Sequence, residues 1–411
     1  MEYGCIGERL SHSFSREIHR ELTSDLYELI ELAPCEVGGF LTSRDFRAIN
    51  VTIPYKEAVL PYLDEIDECA RAIGAVNTVV HRCGRLYGYN TDFYGLRELI
   101  ACSGISVREK KVAILGSGGT AKTARAVLAS LGAKEILTVS RTPVEGKIGY
   151  DTLTCEHTDI DVLINTTPVG MAPNVEGTPL SLDAFPRLSL VLDAVYHPFR
   201  TNLVLEAQRR GIVAEGGLYM LVTQAVRASE LFHNTTYPEG TVERVYRKIL
   251  SEKENLVLIG MPSSGKSTVG KMLAEALGRP FYDTDEMVRE RYGISPEEVI
   301  TMRGEETFRE MESEICLDAS RLQGAVIATG GGVVVREENM RALSREGRVI
   351  FLDRPLCELC PSIDRPLTQD HEALRERYAQ RIDKYRLYSD ITIQGSHSPE
   401  ETLKILLDRI Q

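Results

Sequence analysis

Residues 260–267 read Gly-Met-Pro-Ser-Ser-Gly-Lys-Ser, a complete G-x-x-x-x-G-K-S phosphate loop, and few segments of this length restrict a fold as much. The loop works only if successive backbone N–H groups converge on one anion, which calls for a strand before it and a helix after it. Both are written around it: apolar Leu256 to Ile259 precedes, and a helix-like run ends near Gly278. In this pattern Lys266 reaches the β- and γ-phosphates of a nucleotide and the Ser267 hydroxyl ligates Mg²⁺. Gly260, Ser264, Gly265, Ser267 and Thr268 are the expected nucleotide contacts.

A second glycine loop, Gly116-Ser117-Gly118-Gly119-Thr120-Ala121, follows Val112 to Leu115 and precedes Ala124 to Leu131, which has helical spacing and stops at Gly132. Gly116-x-Gly118-x-x-Ala121 fits the dinucleotide fingerprint, in which one glycine permits the turn, the next admits the pyrophosphate, and a small residue lets helix pack on strand. By itself it also fits a plain glycine turn. The next strand, Glu135 to Val139, ends in Ser140-Arg141-Thr142, where an enzyme using NAD would carry an acidic residue for the ribose hydroxyls. An arginine and two hydroxyls suit a 2′-phosphate and favour NADP, although Arg141 alone also reads as a solvated loop cation. Gly116, Gly118, Gly119, Ala121, Ser140, Arg141 and Thr142 are the expected cofactor contacts.

Each loop opens a parallel α/β unit, and because the loops differ in type the chain is not a repeat. Its 411 residues allow two or three domains. The polar stretch Lys248 to Asn255 marks the boundary between the halves, and about a hundred residues ahead of Gly116 carry strand and helix signals of their own. The net charge of −12 argues against a nucleic-acid partner. No apolar run approaches the roughly 18 residues that cross a bilayer, so no membrane partner is expected. Met1 to Cys5 has no basic, apolar leader character, and the nine cysteines form no framework, so reduced thiols and a cytoplasmic location are expected. Cys357-x-x-Cys360 is the one pair with metal or redox spacing, and it lacks a second pair nearby.

Seven ordered motifs in the first 250 residues or so resemble those of the shikimate dehydrogenase family. They are Ser13-Phe14-Ser15 after His12, Asn50-Val51-Thr52-Ile53-Pro54-Tyr55-Lys56, Gly74 to Thr78, Asn90-Thr91-Asp92, Asn165 to Met171, Asp193-Ala194-Val195-Tyr196, and Met220-Leu221-Val222-x-Gln224. The resemblance implies that Lys56 and Asp92 are the catalytic pair and that Ser13, Ser15, Thr52, Asn77, Tyr196 and Gln224 bind substrate, with Gly217 beside the cofactor. Hydride delivered to a ketone leaves charge on oxygen, which needs a placed proton donor. A lysine serves when partial burial eases loss of its proton and a carboxylate orients it; read alone, Lys56 also fits a surface lysine at a helix start. Arg16 stands where the family has proline. Tyr89, Phe93 and Tyr219 replace smaller residues near Asp92 and on the late helix, which implies a narrower pocket.

Residues 253–411 resemble shikimate kinase. Asp283-Thr284-Asp285, Phe308-Arg309, Gly330-Gly331-Gly332 and Arg365-Pro366-Leu367 follow the phosphate loop in the family's order. The resemblance implies that Asp283 helps hold Mg²⁺ and that Asp285 accepts hydrogen bonds from the acceptor hydroxyls. Arg309, Arg381 and the amides of Gly331 and Gly332 would clamp a carboxylate, for which two guanidinium groups are well suited. Arg365 would stabilise the transferring phosphoryl group from a lid. Arg309 also fits an i,i+3 surface pair with Glu306 or Glu312. Cys360-Pro361 occupies the place of a family arginine near adenine.

The expectation is α/β throughout: a substrate domain (1–101 plus 218–248), an NADP-binding Rossmann domain (102–217), a linker (249–254) and a P-loop kinase domain (255–411) with a parallel sheet. The expected chemistry is reduction of 3-dehydroshikimate with NADPH, then phosphorylation of shikimate with MgATP. Open alternatives are a quinate-type dehydrogenase joined to a kinase of another metabolite, or one half acting as a ligand sensor.

Overall fold

Short runs of aliphatic and β-branched residues build sixteen strands in three sheets among the described residues, which are 1–10, 13–359, 371–395 and 398–410 of a computed structural model. The first sheet holds β1 (Tyr3–Gly7), β2 (Tyr27–Glu31), β3 (Ala48–Val51), β4 (Glu65–Ile66), β5 (Thr78–Arg82) and β6 (Arg85–Tyr89), in the order β2-β1-β3-β5-β6-β4. It is mixed, because β5 and β6 run antiparallel to their neighbours β3 and β5.

The second sheet is wholly parallel: β7 (Lys111–Leu115), β8 (Glu135–Val139), β9 (Val162–Asn165), β10 (Leu190–Asp193) and β11 (Val213–Glu215), in the order β11-β10-β9-β7-β8. Its central strands, such as Val162-Leu163-Ile164-Asn165, are buried along their whole length, as helices covering both faces require. Strand order reverses at β7, so the loops after β7 and β9 open the crevice where doubly wound sheets bind ligands.

The third sheet is parallel too: β12 (Asn255–Ile259), β13 (Phe281–Asp283), β14 (Val326–Ala328), β15 (Gly347–Asp353) and β16 (Ile391–Gln394), in the order β13-β14-β12-β15-β16. The phosphate loop leaves β12, next to the loop that leaves β14.

Five helices matter to the first unit, which spans Met1–Ile249: α1 (Ser15–Arg20), α2 (Asp92–Cys102), α3 (Gly119–Ser130), α4 (Leu218–His233) and α5 (Thr241–Lys253). α2 sends Leu96, Leu99 and Ile100 into the core of the second sheet. α4 does the same with Met220 at its start, while Ala228 and Phe232 near its end join Tyr3 and Val80 of the first sheet. These two helices therefore bridge the lobes.

Residues 249–254, expected as a linker, are helical as far as Lys253. α5 continues through them to Lys253, because Thr241, Val245 and Ile249 recur at helical spacing and are buried. The second unit, Leu250–Gln411, uses three further helices: α6 (Lys266–Leu277), α7 (Glu305–Ala319) and α8 (His371–Tyr388). No helix among the described residues is long and apolar enough to cross a membrane.

Candidate active sites

In the first unit β3 runs into the loop that carries Lys56, and β6 runs into the start of α2, which carries Asp92. Lys56 Nζ donates to Asp92 Oδ2 at 2.6 Å, with both side chains largely buried. Asn77 Nδ2 donates to the other carboxylate oxygen at 2.9 Å, so Asp92 is held on both sides. Asn77 also reaches Thr91 Oγ1 at 2.9 Å and Gln224 Oε1 at 3.3 Å, which draws the late helix α4 into the same cluster. Lys56 Nζ lies 3.5 Å from Thr120 Oγ1 in the first turn of α3. A Cβ on Gly119 would sit 3.3 Å from Lys56 Cβ, so the lysine lies directly against the glycine loop.

Gly116 has φ +113°, and a Cβ there would meet Thr166 Oγ1; both observations favour glycine at the turn. Gly118 caps α3, leaving its first amides aimed outward. Ala121 is buried in the core under the loop. Gly217 lies against the Ala194 carbonyl and donates its N–H to Val195 O at 2.8 Å. Ser140, Arg141 and Thr142 follow β8; Ser140 N–H donates to Ile148 O, and Arg141 is exposed beside that crevice. The cradle of backbone amides, the close turn and the exposed guanidinium fit a phosphorylated dinucleotide.

Ser13 Oγ donates to Ser15 Oγ at 3.1 Å, and the Ser13 hydroxyl is near enough to the Tyr196 phenol to favour its ionised form slightly. Burial pushes the Tyr196 phenol up to about 12, which keeps it a neutral hydrogen-bond donor. Thr52 is placed by its amide, which donates to Ile6 O at 3.0 Å. The three aromatic departures have packing roles. Tyr89 joins the core around Tyr3 and Cys5, and Phe93 and Tyr219 pack on the core of the second sheet. Tyr219 turns its hydroxyl to Glu243, 2.7 Å away, and its ring to Tyr246, so it does not narrow the Lys56 pocket as expected.

In the second unit Lys266 and Ser267 begin α6. Lys266 is buried and donates to the Gly260 and Met261 carbonyls, each at 2.9 Å. Gly260 and Gly265 have φ +150° and +91°, and Ser263 joins them at +64°. Ser264 is buried in the loop, and Thr268 is exposed in the first turn of α6. Ser267 Oγ donates to Asp283 Oδ2 at 2.6 Å. These two oxygens fit a Mg²⁺ that takes its remaining ligands from phosphate and water. Among the described residues no cluster of three or more His, Cys, Asp or Glu offers an all-protein metal cage.

One cleft gathers Lys266, Ser267, Asp283, Asp285, Arg309, Glu312, Gly330, Gly331, Gly332 and Arg381. Asp285 N–H donates to Asp283 Oδ1 at 3.0 Å, capping the helix that follows β13. Burial, then the charges of Asp283 and Glu312, push the Asp285 carboxyl up to about 7, with Lys266 opposing. Arg309 Nη1 donates to Glu312 Oε2 at 2.6 Å and Nη2 to Glu305 Oε1 at 2.9 Å. The i,i+3 pairing with Glu312 is thus present, but its side chains are 5% and 2% exposed, so it is not a surface pair. A Cβ on Gly332 would fall within the Arg309 guanidinium. Arg381 Nη1 donates to Gly331 O at 2.8 Å, and the Tyr385 hydroxyl donates to the same carbonyl. Two guanidinium groups from two helices therefore converge on the Gly331-Gly332 turn.

Sequence reasoning did not assign Thr120, Tyr385 or the buried role of Glu312. The signal for Tyr385 was its i,i+4 spacing from Arg381, and for Glu312 its i,i+3 spacing from Arg309. Arg365, His12, Cys360 and Pro361 lie outside the described residues.

Comparison with known proteins gives two family matches. The family model for the shikimate dehydrogenase substrate binding domain matches residues 5–79, and that for shikimate kinase matches residues 262–411. A shikimate dehydrogenase (NADP(+)) of Clostridium beijerinckii is 37% identical over 261 residues, covering 59% of this chain and 96% of that protein. Among solved structures, shikimate dehydrogenase 1 of Peptoclostridium difficile aligns with TM-score 0.57 and 32% identity, over 61% of this chain and 98% of that one. The Thermus thermophilus shikimate 5-dehydrogenase in complex with NADP(H) and shikimate aligns with TM-score 0.54 and 29% identity, over 60% and 99%.

Proposed function

The chain belongs to the shikimate dehydrogenase family over its first unit and carries a shikimate kinase domain in its second, and on that premise we propose two successive reactions. The first unit reduces 3-dehydroshikimate to shikimate with NADPH, and the second phosphorylates shikimate to shikimate 3-phosphate with MgATP. The observation that carries the first reaction is the Lys56–Asp92 contact at 2.6 Å beside the glycine loop. When bound, NADPH supplies the hydride and MgATP the phosphoryl group. Lys56, oriented by Asp92, holds the proton that the new alkoxide takes up. Ser13, Ser15 and Tyr196 hold the substrate carboxylate, while Asn77, Thr52 and Gln224 order the hydroxyl side. Gly116, Gly118, Gly119, Ala121, Gly217, Ser140, Arg141 and Thr142 form the NADP cradle.

In the second unit Arg309 and Arg381, with the amides of Gly331 and Gly332, take the same carboxylate. Asp285 accepts a hydrogen bond from the reacting hydroxyl and holds its proton as it leaves. Lys266 holds the nucleotide phosphates together with Gly260, Ser264, Gly265 and Thr268, and Ser267 and Asp283 hold Mg²⁺. Arg365 stabilises the negative charge on the transferring phosphoryl group. The four-part arrangement that we assign is a substrate lobe (1–101 plus 218–248), a cofactor lobe (102–217), the α5 connection at 249–254 and a kinase domain (255–411).

Substrate profiling tests this reading. The full chain should reduce 3-dehydroshikimate with NADPH at least tenfold better than 3-dehydroquinate, and phosphorylate shikimate in preference to quinate. The reverse preference in either unit would move that unit to another hydroxylated carboxylate.

A further inference from the structure

Phe14, which separates the two substrate serines, stands at the N-cap of α1, where a side-chain oxygen would ordinarily accept an amide hydrogen bond. A phenyl ring has no such oxygen; the Ser13 hydroxyl takes the Ser15 N–H instead, at 3.3 Å. The Phe14 ring is 3% exposed. It lies 5.5 Å from the ring of Tyr196, 5.6 Å from that of His197 and 6.1 Å from that of Phe199, centroid to centroid. Those three residues follow β10 of the second sheet, whereas Phe14 precedes α1 of the first. The ring therefore crosses the cleft between substrate and cofactor lobes, within the 4.5–7 Å range of favourable aromatic pairs.

The far side of this contact is itself fixed. Asp193 is fully buried and accepts from Val195 N–H at 3.0 Å, from the Thr201 hydroxyl at 2.7 Å and from Asn165 Nδ2 at 2.9 Å. The backbone that carries Tyr196 is thus pinned to the ends of β9 and β10. Ser13 and Ser15 flank a ring wedged against that pinned segment, so they cannot shift relative to Tyr196 unless the ring leaves its site.

We infer that Phe14 is a positioning residue, the aromatic anchor that sets the serine pair at a fixed distance from Tyr196 and thereby governs recognition of the substrate carboxylate. The inference rests on the dehydrogenase reading given above. It separates Phe14 from the groups that touch substrate: its effect passes through Ser13, Ser15 and Tyr196. The loss of its ring should weaken substrate binding while leaving the proton donor and the cofactor cradle intact.

The test uses Phe14→Leu and Phe199→Leu in the full chain, with shikimate oxidation by NADP⁺ as the assay. Wild-type turnover of shikimate comes first; its absence would refute the dehydrogenase reading and not the anchor. In Phe14→Leu, KM for shikimate should rise at least fivefold while kcat changes less than twofold. The preference for shikimate over its methyl ester, which lacks the carboxylate charge, should fall by a similar factor. NADPH affinity, read from the cofactor's own fluorescence in a chain without tryptophan, should stay within twofold. Phe199→Leu should reproduce the pattern from the other lobe, and the double variant should be no worse than the more affected single one. Unchanged KM and unchanged ester discrimination, with only a lower melting temperature, would overturn the inference. Equal losses in kcat, ester turnover and NADPH affinity would overturn it as well, since they would mark Phe14 as general packing.

Discussion

Asp285→Asn should stabilise the second unit at pH 8 while it abolishes phosphorylation. The Asp285 carboxyl is pushed from its ordinary 3.8 to about 7, by burial first and then by Asp283 and Glu312. The unfolded chain releases this proton near 3.8, whereas the native unit keeps it until about 7. Between those values the native state binds more protons, so the contribution of this group to stability falls as pH rises through that window and levels off above it. At roughly 1.4 kcal/mol per tenfold, the full interval corresponds to ~4 kcal/mol. Asp285 lines the cleft beside Lys266, and relaxation of the buried carboxylate toward that cation is taken to offset about half of the interval, leaving ~2 kcal/mol. For a unit of this size, that is a rise of roughly 4–8 °C in the melting temperature of the neutral amide variant at pH 8. Calorimetry of the full chain reads it, with the transition of the second unit identified by its upward shift with MgATP. At pH 5, where the native carboxyl is largely protonated, the gain should shrink to about 1 kcal/mol or less. Loss of kinase activity without any gain in stability at pH 8, or an equal gain at both pH values, would show that ionising the buried Asp285 carboxyl does not destabilise the unit.

Other expectations can be checked in the same full-length protein. Lys56→Ala should lower kcat for NADPH-dependent reduction by about 10²–10⁴-fold, the usual worth of a placed proton donor, and leave shikimate phosphorylation unchanged. Gly332→Ala, at a φ of −103° that alanine adopts freely, should displace the Arg309 guanidinium and raise KM for shikimate in the kinase assay roughly 10- to 100-fold, about 1–3 kcal/mol. Arg141→Ala should weaken NADPH binding roughly tenfold or more while barely changing NADH, because only the 2′-phosphate loses its charge-assisted partner. Titration of each cofactor against the variant reads that ratio.

The glycine loops were legible because each needs particular residue types at particular turns, and the structure places Gly116 and Gly260 at positive φ at the ends of β7 and β12. The strand runs around them were legible too, since buried parallel strands are continuously apolar. What escaped were contacts made between segments distant in sequence. Nothing in the string says that Phe14 meets Tyr196, or that Thr120 approaches Lys56. The helical state of residues 249–253 was not legible because the side chains there are polar, while the period that sustains the helix is set by Thr241, Val245 and Ile249 upstream. Tyr219 misled for a similar reason. Its neighbours in sequence point to the substrate side, and its packing partners Glu243 and Tyr246 come from the next helix. Arg309 shows the intermediate case: the i,i+3 pair with Glu312 was visible, but its burial depended on the Gly330–Gly332 turn after β14 packing against the guanidinium.

The two proposed reactions act in turn on one carbon and its oxygen. The most direct measurement supplies the purified chain with 3-dehydroshikimate, NADPH deuterated at the nicotinamide C4, and MgATP, and follows the products by mass spectrometry. The expected product is shikimate 3-phosphate carrying deuterium on the carbon that bears the phosphate ester. Deuterated shikimate that is never phosphorylated would contradict the kinase assignment, and no incorporation of deuterium, with added shikimate still phosphorylated, would contradict the dehydrogenase assignment.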